Sequence, residues 1–281
     1  MRLKADLALL FVSMLWGSAF VFQRIVGEQG GVYYFNGMRF LLGALILLPF
    51  MRKRKPIPRE QWFWMGIAGT ILFTAAALQQ VGIQYTTAGN AGFITSLSVV
   101  IVPFVLLIGW RERPRWSAVV AVILAGVGAY LLSTGGSFKV QKGDALEMVG
   151  ALFWSLHYVL LGKFAFRFAS VQFAAGQFVV AGLLNLFVGL FLERPLFTGV
   201  LVGAVVYTAV FSVGIGYTLQ VWAQRYTPPA DAALILSLEA VFAVLTGWLF
   251  LSEILTVVQI MGCALILGGV LLAQLRFGNS E

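Results

Sequence analysis

The sequence is poor in charge. Asp, Glu, Lys and Arg make up 11% of its 281 residues, whereas hydrophobic residues make up 60%. A soluble domain carries about 25% charged residues to cover its surface, so a soluble globular domain is excluded. The mean hydropathy of +0.92 indicates instead a chain whose residues face lipid or one another.

Histidine and cysteine are each present once, as His157 and Cys263. A catalytic metal site needs several such ligands, and a hydrolase needs a nucleophile with a partner base. A single cysteine also excludes an internal disulfide framework. The sequence contains no GxxxxGK[ST] loop, which an ATP-driven pump needs for phosphate binding. These absences predict a protein that is not an enzyme and that has no cofactor.

Long apolar runs are what the sequence has in abundance. Stretches of about 18 or more apolar residues with few charges are typical of transmembrane helices. Ten such spans are predicted, at Leu7–Gln23, Val32–Phe50, Trp62–Gln84, Gly89–Trp110, Trp116–Leu132, Ala145–Leu161, Val171–Leu192, Gly199–Ala223, Ala230–Leu251 and Leu255–Leu275. The loops between them are short, so the fold class is all-α integral membrane.

Basic residues are distributed unevenly among the loops. Arg39 lies inside span 2, and only four others lie in loops that follow odd-numbered spans: Arg24, Lys139, Lys142 and Arg194. The remaining fourteen lie at the termini and in the loops after spans 2, 4, 6 and 8. Because basic loops stay on the cytoplasmic side, both termini are predicted to be cytoplasmic. The net charge of +8 is thereby explained without a nucleic-acid partner.

The chain also contains an internal duplication. The segment LQQVGIQYTTAGNAGFITSL at 78–97 aligns with LQVWAQRYTPPADAALILSL at 219–238 at a constant offset of 141. The shared LQ, YT and SL pairs predict two homologous domains, residues 1–135 and residues 143–281. Each contains five spans, and an odd number of spans reverses the chain through the membrane. Two inverted five-helix repeats are therefore predicted, an arrangement typical of secondary transporters.

Several motifs resemble the EamA-type family of the drug/metabolite transporter superfamily. They are MLWGSAF at 14–20, NGMRFLLGALILL at 36–48, GWRER at 109–113 and LSLEAVFAVLTGWLFLSEILTVVQIMGCALILGGVLL at 236–272. Ala240 stands where proline is common in that family. The resemblance implies ten helices in two inverted repeats. It also implies movement of amino acids or other small metabolites across the bacterial inner membrane.

Ionisable residues within spans are costly, and they mark candidate sites. Glu239 lies near the middle of span 9, where desolvation brings proton exchange within reach. It is interpreted either as a substrate or proton site or as a structural partner of Arg39. His157 in span 6 is interpreted as a hydrogen-bonding or a proton-relay residue. Glu147, near the other end of that span, is expected to lie close to water.

Aromatic residues at equivalent positions of the two halves suggest a shared cavity. Asp6 precedes Trp16 by ten residues, as Asp144 precedes Trp154. Tyr158 follows Trp154 by four residues and so shares its helix face. The alternative for each ring is ordinary packing against lipid or neighbouring helices.

Polar pairs related by the repeat are further candidates. Such side chains either join helices by hydrogen bonds or contact a polar substrate, and they are Gln79, Gln220, Ser96 and Ser237. Small residues spaced by four, in spans 5 and 10, suit close helix contact within one protein or between two copies. Monomer and homodimer both remain open on this basis.

The sequence thus predicts a membrane transporter whose partners are a small-molecule substrate and the lipid bilayer. The favoured function is alternating-access export of amino acids or similar small metabolites. A drug or other metabolite carrier of the same fold is the first alternative. A membrane enzyme acting on a lipid-linked substrate is the second.

Overall fold

A computed structural model describes residues 1–51, 57–114, 116–134, 142–194, 198–251 and 256–274. Within these ranges the regular structure is helical, with no strand. Much of the basic cluster 52–60 lies outside the described residues, as do Arg115, Lys139 and Arg276.

The helices follow one another with short connections. They are α1 Arg2–Glu28, α2 Tyr33–Leu47, α3 Arg59–Gly82, α4 Ala88–Ser96, α5 Ser98–Trp110, α6 Trp116–Thr134, α7 Lys142–Lys163, α8 Ser170–Leu192, α9 Gly199–Tyr207, α10 Thr218–Ala223, α11 Pro229–Leu236, α12 Glu239–Leu251 and α13 Val257–Gln274. A π-helical segment, Thr208–Tyr217, joins α9 to α10. Short 3₁₀ turns occupy Leu48–Met51, Ile83–Tyr85 and Ala165–Arg167.

The helical segments are long enough for a multi-pass membrane protein. Eight of those described are long and apolar enough to cross a bilayer, counting α4 with α5, α9 with α10, and α11 with α12 as single spans. The two other predicted spans coincide with shorter apolar helices, Trp116–Gly128 and Val257–Leu272. Large apolar side chains such as Ile108 and Phe191 point outward, as lipid contact requires.

One end of the bundle is held together by ion pairs around Arg2, and we call it the Arg2 end. The Arg2 guanidinium contacts Asp6 at 3.1 Å and Asp231 at 2.5 Å. At the same end, Arg167 pairs with Glu60 at 3.0 Å. These contacts bring the N-terminus, the start of α3, the start of α8 and the start of α11 to one side of the molecule.

The opposite end is organised around Glu193, and we call it the Glu193 end. Its carboxylate accepts hydrogen bonds of 2.8–2.9 Å from the backbone N–H groups of Val32, Tyr33 and Tyr34. A carboxylate at a helix N-terminus satisfies free N–H groups and complements the helix dipole. The Thr86 hydroxyl donates to Asp144 at the same end, at 2.9 Å.

Predicted spans 4 and 9 are each interrupted near the middle, between α4 and α5 and between α11 and α12. The Ser96 and Ser237 hydroxyls donate to carbonyls three residues earlier, at 2.6 and 2.7 Å. The N–H groups of Leu97 and Leu238 also bond three residues back, at 3.1 and 3.2 Å. Such bonds compete with regular α-helical bonding, so both helices break at the two serines that the predicted duplication pairs, although Ala240 is not proline.

Glycine and alanine permit the closest helix contacts. A Cβ on Gly17 of α1 would lie 2.7 Å from the Glu239 carbonyl oxygen, so α1 approaches the start of α12 at backbone distance. The small residues spaced by four in predicted spans 5 and 10, which form α6 and α13, have different surroundings. Ala121 of α6 packs inside the protein, where a Cβ on Gly269 would lie 2.7 Å from its carbonyl oxygen. Gly268 of α13 points outward, with no atom within 4 Å of such a Cβ.

Candidate substrate cavity

A cavity lies between the interrupted helices and their neighbours. It contains about 320 Å³ of space between protein atoms, with the open solvent at its mouth included. Its lining combines aromatic, amide, hydroxyl and charged side chains, namely Trp16, Phe20, Gln23, Arg39, Gln79, Thr95, Trp154, Tyr158, Ser212, Tyr217 and Glu239. Six of the ten residues nominated by the sequence are among them.

Tyr217 joins the aromatic residues of the two halves into one wall. Its ring centroid lies 4.7 Å from that of Trp16 and 6.0 Å from that of Trp154, to which it is nearly parallel. The rings of Phe40 and Phe178 lie 6.2 and 5.9 Å from it. Such spacing is typical of favourable aromatic pairs. The wall is therefore a packed apolar surface on one side of a polar cavity.

The two tryptophans differ in their hydrogen bonding. Trp16 Nε1 donates to the backbone carbonyl of Ser212 at 3.1 Å. This approach requires Gly216, because a Cβ there would lie 2.7 Å from Trp16 Nε1. The Trp154 indole N–H is buried and has no partner in the described part of the chain. Trp16 is thus anchored to the π-helical segment, whereas the Trp154 N–H is free to donate.

Arg39 brings a positive charge into the cavity from α2. Its side chain is 2% exposed, and its guanidinium carbon lies 5.1 Å from the ring centroids of both Phe35 and Phe40. Both distances are within cation–π range. Among the described residues Arg39 forms no ion pair, and its Nε has no hydrogen-bond partner. A buried guanidinium that contacts aromatic rings and forms no ion pair among the described residues can bind an anion.

Glu239 brings a carboxyl group into the same cavity from the helix break. It is 2% exposed and is the first residue of α12, where the helix dipole favours a negative charge. No ion pair joins it to Arg39 in the described part of the chain. The cavity therefore contains two groups that can carry opposite charges and that do not neutralise each other directly.

The remaining polar lining is partly committed to the protein. Gln79 Nε2 donates to the Thr95 hydroxyl at 2.8 Å, which links α3 to α4. The Gln23 side-chain oxygen is buried and accepts no hydrogen bond from the described residues. Tyr158 is 1% exposed, and its backbone carbonyl accepts a hydrogen bond from Gln224 at 2.9 Å.

Four residues nominated from the sequence are not part of the cavity lining. Ser96 and Ser237 bond to their own helices at the two breaks. Gln220 is fully buried, and neither its Nε2 nor its Oε1 has a hydrogen-bond partner among the described residues. His157 lies behind the wall, where its Nε2 is 2.9 Å from Gln177 Oε1.

The sequence patterns do not predict five of the lining residues: Phe20, Gln23, Thr95, Ser212 and Tyr217. Phe20 and Gln23 follow Trp16 by four and seven residues, so helical spacing places them on its face. Tyr217 was signalled only by its glycine neighbours in GIGY at 214–217. Ser212 contributes a backbone carbonyl, which no side-chain pattern predicts.

Glu147 does not lie near water, contrary to the expectation from the sequence. It is 1% exposed and faces α3, because the helix contact between α3 and α7 continues to the end of the bundle.

Comparison with known proteins finds sequence relatives, one of which is named as a transporter, and a solved structure with the same fold. An uncharacterized transporter of Archaeoglobus fulgidus is 36% identical over 276 residues, which cover 98% of this chain and 87% of that protein. A WAT1-related chloroplastic protein of Arabidopsis thaliana is 24% identical over 94% of this chain and 68% of its own length. A solved crystal structure with 21% identity and a TM-score of 0.77 covers 98% of both chains, which establishes a shared fold.

The family comparison covers almost the whole sequence. The profile of the EamA-like transporter family matches twice, over residues 3–134 and over residues 141–275. Apolar helices, a polar cavity between them and these matches agree with one another. The chain is a multi-pass membrane protein that belongs to the EamA-like transporter family.

Proposed function

We propose that the protein is a secondary transporter that exports amino acids, or similar small zwitterionic metabolites, by alternating access. The observation that supports this substrate class is the pair of buried ionisable groups, Arg39 and Glu239, which share one cavity without pairing to each other. An amino acid offers the complement, a carboxylate and an ammonium on one carbon.

The two ends of the substrate have distinct partners in this proposal. A carboxylate binds the Arg39 guanidinium and accepts a hydrogen bond from the free indole N–H of Trp154. The ammonium binds the Glu239 carboxylate. Charge-assisted bonds of this kind are about twice as strong as neutral ones, and each would neutralise a buried charge that has no ion pair among the described residues.

The rest of the cavity favours an apolar side chain. Trp16, Tyr217 and Phe20 present ring surfaces, which suit the aliphatic side chain of an amino acid such as leucine better than the polar groups of a nucleotide sugar. A monocationic drug is also less suitable, because it would leave Arg39 buried without an anion.

Alternating access follows from the proposed duplication. The ten predicted spans would form two inverted five-helix repeats, and helices broken near the midplane are a recurrent feature of transporter binding sites. The breaks after Ser96 and Ser237 both lie beside the cavity. In this proposal the Arg2 end, which contains the N-terminus, faces the cytoplasm, and the Glu193 end faces the outside of a cell membrane.

Transport by purified protein in liposomes tests the proposal. We expect radiolabelled leucine to exchange across the membrane and to be recovered chemically unchanged, which distinguishes transport from an enzymatic reaction. Glu239→Gln should fold normally but lose most of this exchange, because glutamine has the same shape but no charge for the ammonium. Glu60→Gln, which changes an exposed carboxylate, is the matched control and should exchange normally. Equal exchange by Glu239→Gln and the wild type would contradict the assignment.

A further inference from the structure

A second buried carboxyl group, Glu147, lies outside the cavity and has no role in the proposed substrate site. It is 1% exposed on α7. A Cβ on Gly82 of α3 would lie 2.8 Å from its Cγ and 3.1 Å from its Cδ. Glycine at this position leaves the room that the carboxyl group occupies, so the site is formed by both helices.

The structure shows no partner for the Glu147 carboxyl group among the residues that it describes. Both oxygens are buried, and neither accepts a hydrogen bond in the described part of the chain. The charged and titratable groups around it, on α7 and on the elements packed against it, are Asp144, Glu239, Tyr85 and Arg24. The first two are acids, and Asp144 accepts a hydrogen bond from Thr86.

The one base in this group is already engaged. Arg24 donates to the carbonyls of Ile83 and Gln84 and pairs with Glu28 at 3.0 Å. The described structure thus provides Glu147 with neither an N–H or O–H donor nor a cation. Burying a carboxylate in this way is costly unless something outside the protein neutralises it.

Glu147 is also placed to influence the cavity. Trp154 and Tyr158 follow it by seven and eleven residues and therefore lie on the same face of α7, with Trp154 about 10 Å along the axis. Gln79, which lines the cavity, is three residues from Gly82 on α3. Glu239 lines the same cavity as Trp154 and Gln79, so α3 and α7 extend from Glu147 to the cavity that contains the Glu239 carboxyl group.

We propose that Glu147 is the coupling-ion site of the transporter: its carboxylate binds a monovalent cation, either a proton or Na⁺, that is exchanged for the substrate. The inference rests on the proposed transport function. A cation on Glu147 reduces the negative potential at Glu239 and so weakens its hold on the substrate ammonium. A bound ammonium in turn disfavours the cation. Binding of either one therefore promotes release of the other, which is the requirement for antiport.

Two transport measurements on one preparation separate this inference from the proposed function. Leucine exchange at equal concentration and equal pH tests transport alone, and we expect Glu147→Gln to retain it. Accumulation driven by an imposed pH or Na⁺ gradient tests coupling, and we expect the variant to lose it at least tenfold. Glu60→Gln should retain both. Absence of exchange in the wild type would refute the function. Normal exchange with an equal gradient response in Glu147→Gln would refute the coupling site.

A measurement that does not depend on transport identifies the cation. A hydrophobic carbodiimide should modify Glu147 in the folded protein, detected as a mass shift on the peptide that contains it, in a Glu239→Gln background. Protection by Na⁺ at constant pH would identify sodium as the occupant. Protection only by raising the pH would identify the proton. Modification that neither condition changes, or no modification of Glu147 at all, would overturn the proposal.

Discussion

Replacing Arg39 with methionine tests whether its charge serves the protein or the substrate. Methionine is unbranched and of similar length, and it removes the charge without opening a large cavity. Arg39 has no acidic partner among the described residues, so the substitution leaves no carboxylate stranded in an ion pair. Its ring contacts with Phe35 and Phe40 are lost, but so is the cost of burying a guanidinium. We expect a change in unfolding free energy of only about 1 kcal/mol, in either direction.

The effect on binding should be much larger. A hydrogen bond to a charged group contributes about 1.5–3 kcal/mol, which corresponds to a factor of about 10 to 150 in affinity. The wild type should therefore bind leucine more tightly than 3-methylbutylamine, its decarboxylated analogue, by about this factor. The Arg39→Met protein should bind the two with similar affinity, because the amine has no carboxylate to lose.

Calorimetric titration of both ligands into detergent-solubilised protein, together with a thermal unfolding curve, checks both expectations. A loss of stability of about 3–5 kcal/mol would show that Arg39 belongs to a buried ion pair. An unchanged ratio of the two affinities would show that Arg39 does not hold the carboxylate. Either result would refute the substrate orientation given above.

Two further pairs of variants test the site and the orientation. Trp154→Phe should weaken leucine binding about five- to tenfold without changing stability. Trp16→Phe should instead lower the unfolding free energy by about 1–2 kcal/mol, because it leaves the Ser212 carbonyl unpaired. Titration and thermal unfolding of both proteins measure these effects, and the same result for both variants would contradict the expectation. Thr87→Cys, at the Glu193 end, should react with an impermeant thiol reagent added outside intact cells, whereas Glu60→Cys, at the Arg2 end, should react only after lysis. The reverse labelling pattern would invert the proposed topology.

Much of the fold could be predicted because the bilayer imposes simple rules on the sequence. The length of apolar runs sets the spans, and eight of the ten predicted spans meet the same criterion in the structure. The helix breaks were harder to predict, because neither contains a proline. They arise from serine hydroxyls and short-range backbone bonds, and serine at a helix interior is more often compatible with a continuous helix.

Residues of the candidate site could be predicted where burial of the side chain is energetically costly, or where the same residue type stands at equivalent positions of the two halves. Arg39 and Glu239 were identified by the cost of burying charge, and Trp16 and Trp154 by their equivalent positions. Tyr217 could not be found in this way, because its role depends on the π-helical segment that turns it toward both indoles. The burial of Glu147 depends on a glycine in another helix, which sequence spacing within one helix does not reveal.

The proposed duplication also bears on why the cavity has one cationic group and one carboxyl group, Arg39 and Glu239. At the offset of 141, Glu239 corresponds to Ser98, which begins α5 just as Glu239 begins α12. At the offset of 138 that relates Trp16 to Trp154, Arg39 corresponds to Gln177, which bonds to His157. Each half thus carries one ionisable group where the other half has a neutral polar one. Two identical halves would present the same charges to both ends of a substrate, whereas these halves present a cation from one and a carboxyl from the other. In the proposed inverted repeats, the differences at these two positions would therefore allow the cavity to orient a zwitterionic substrate.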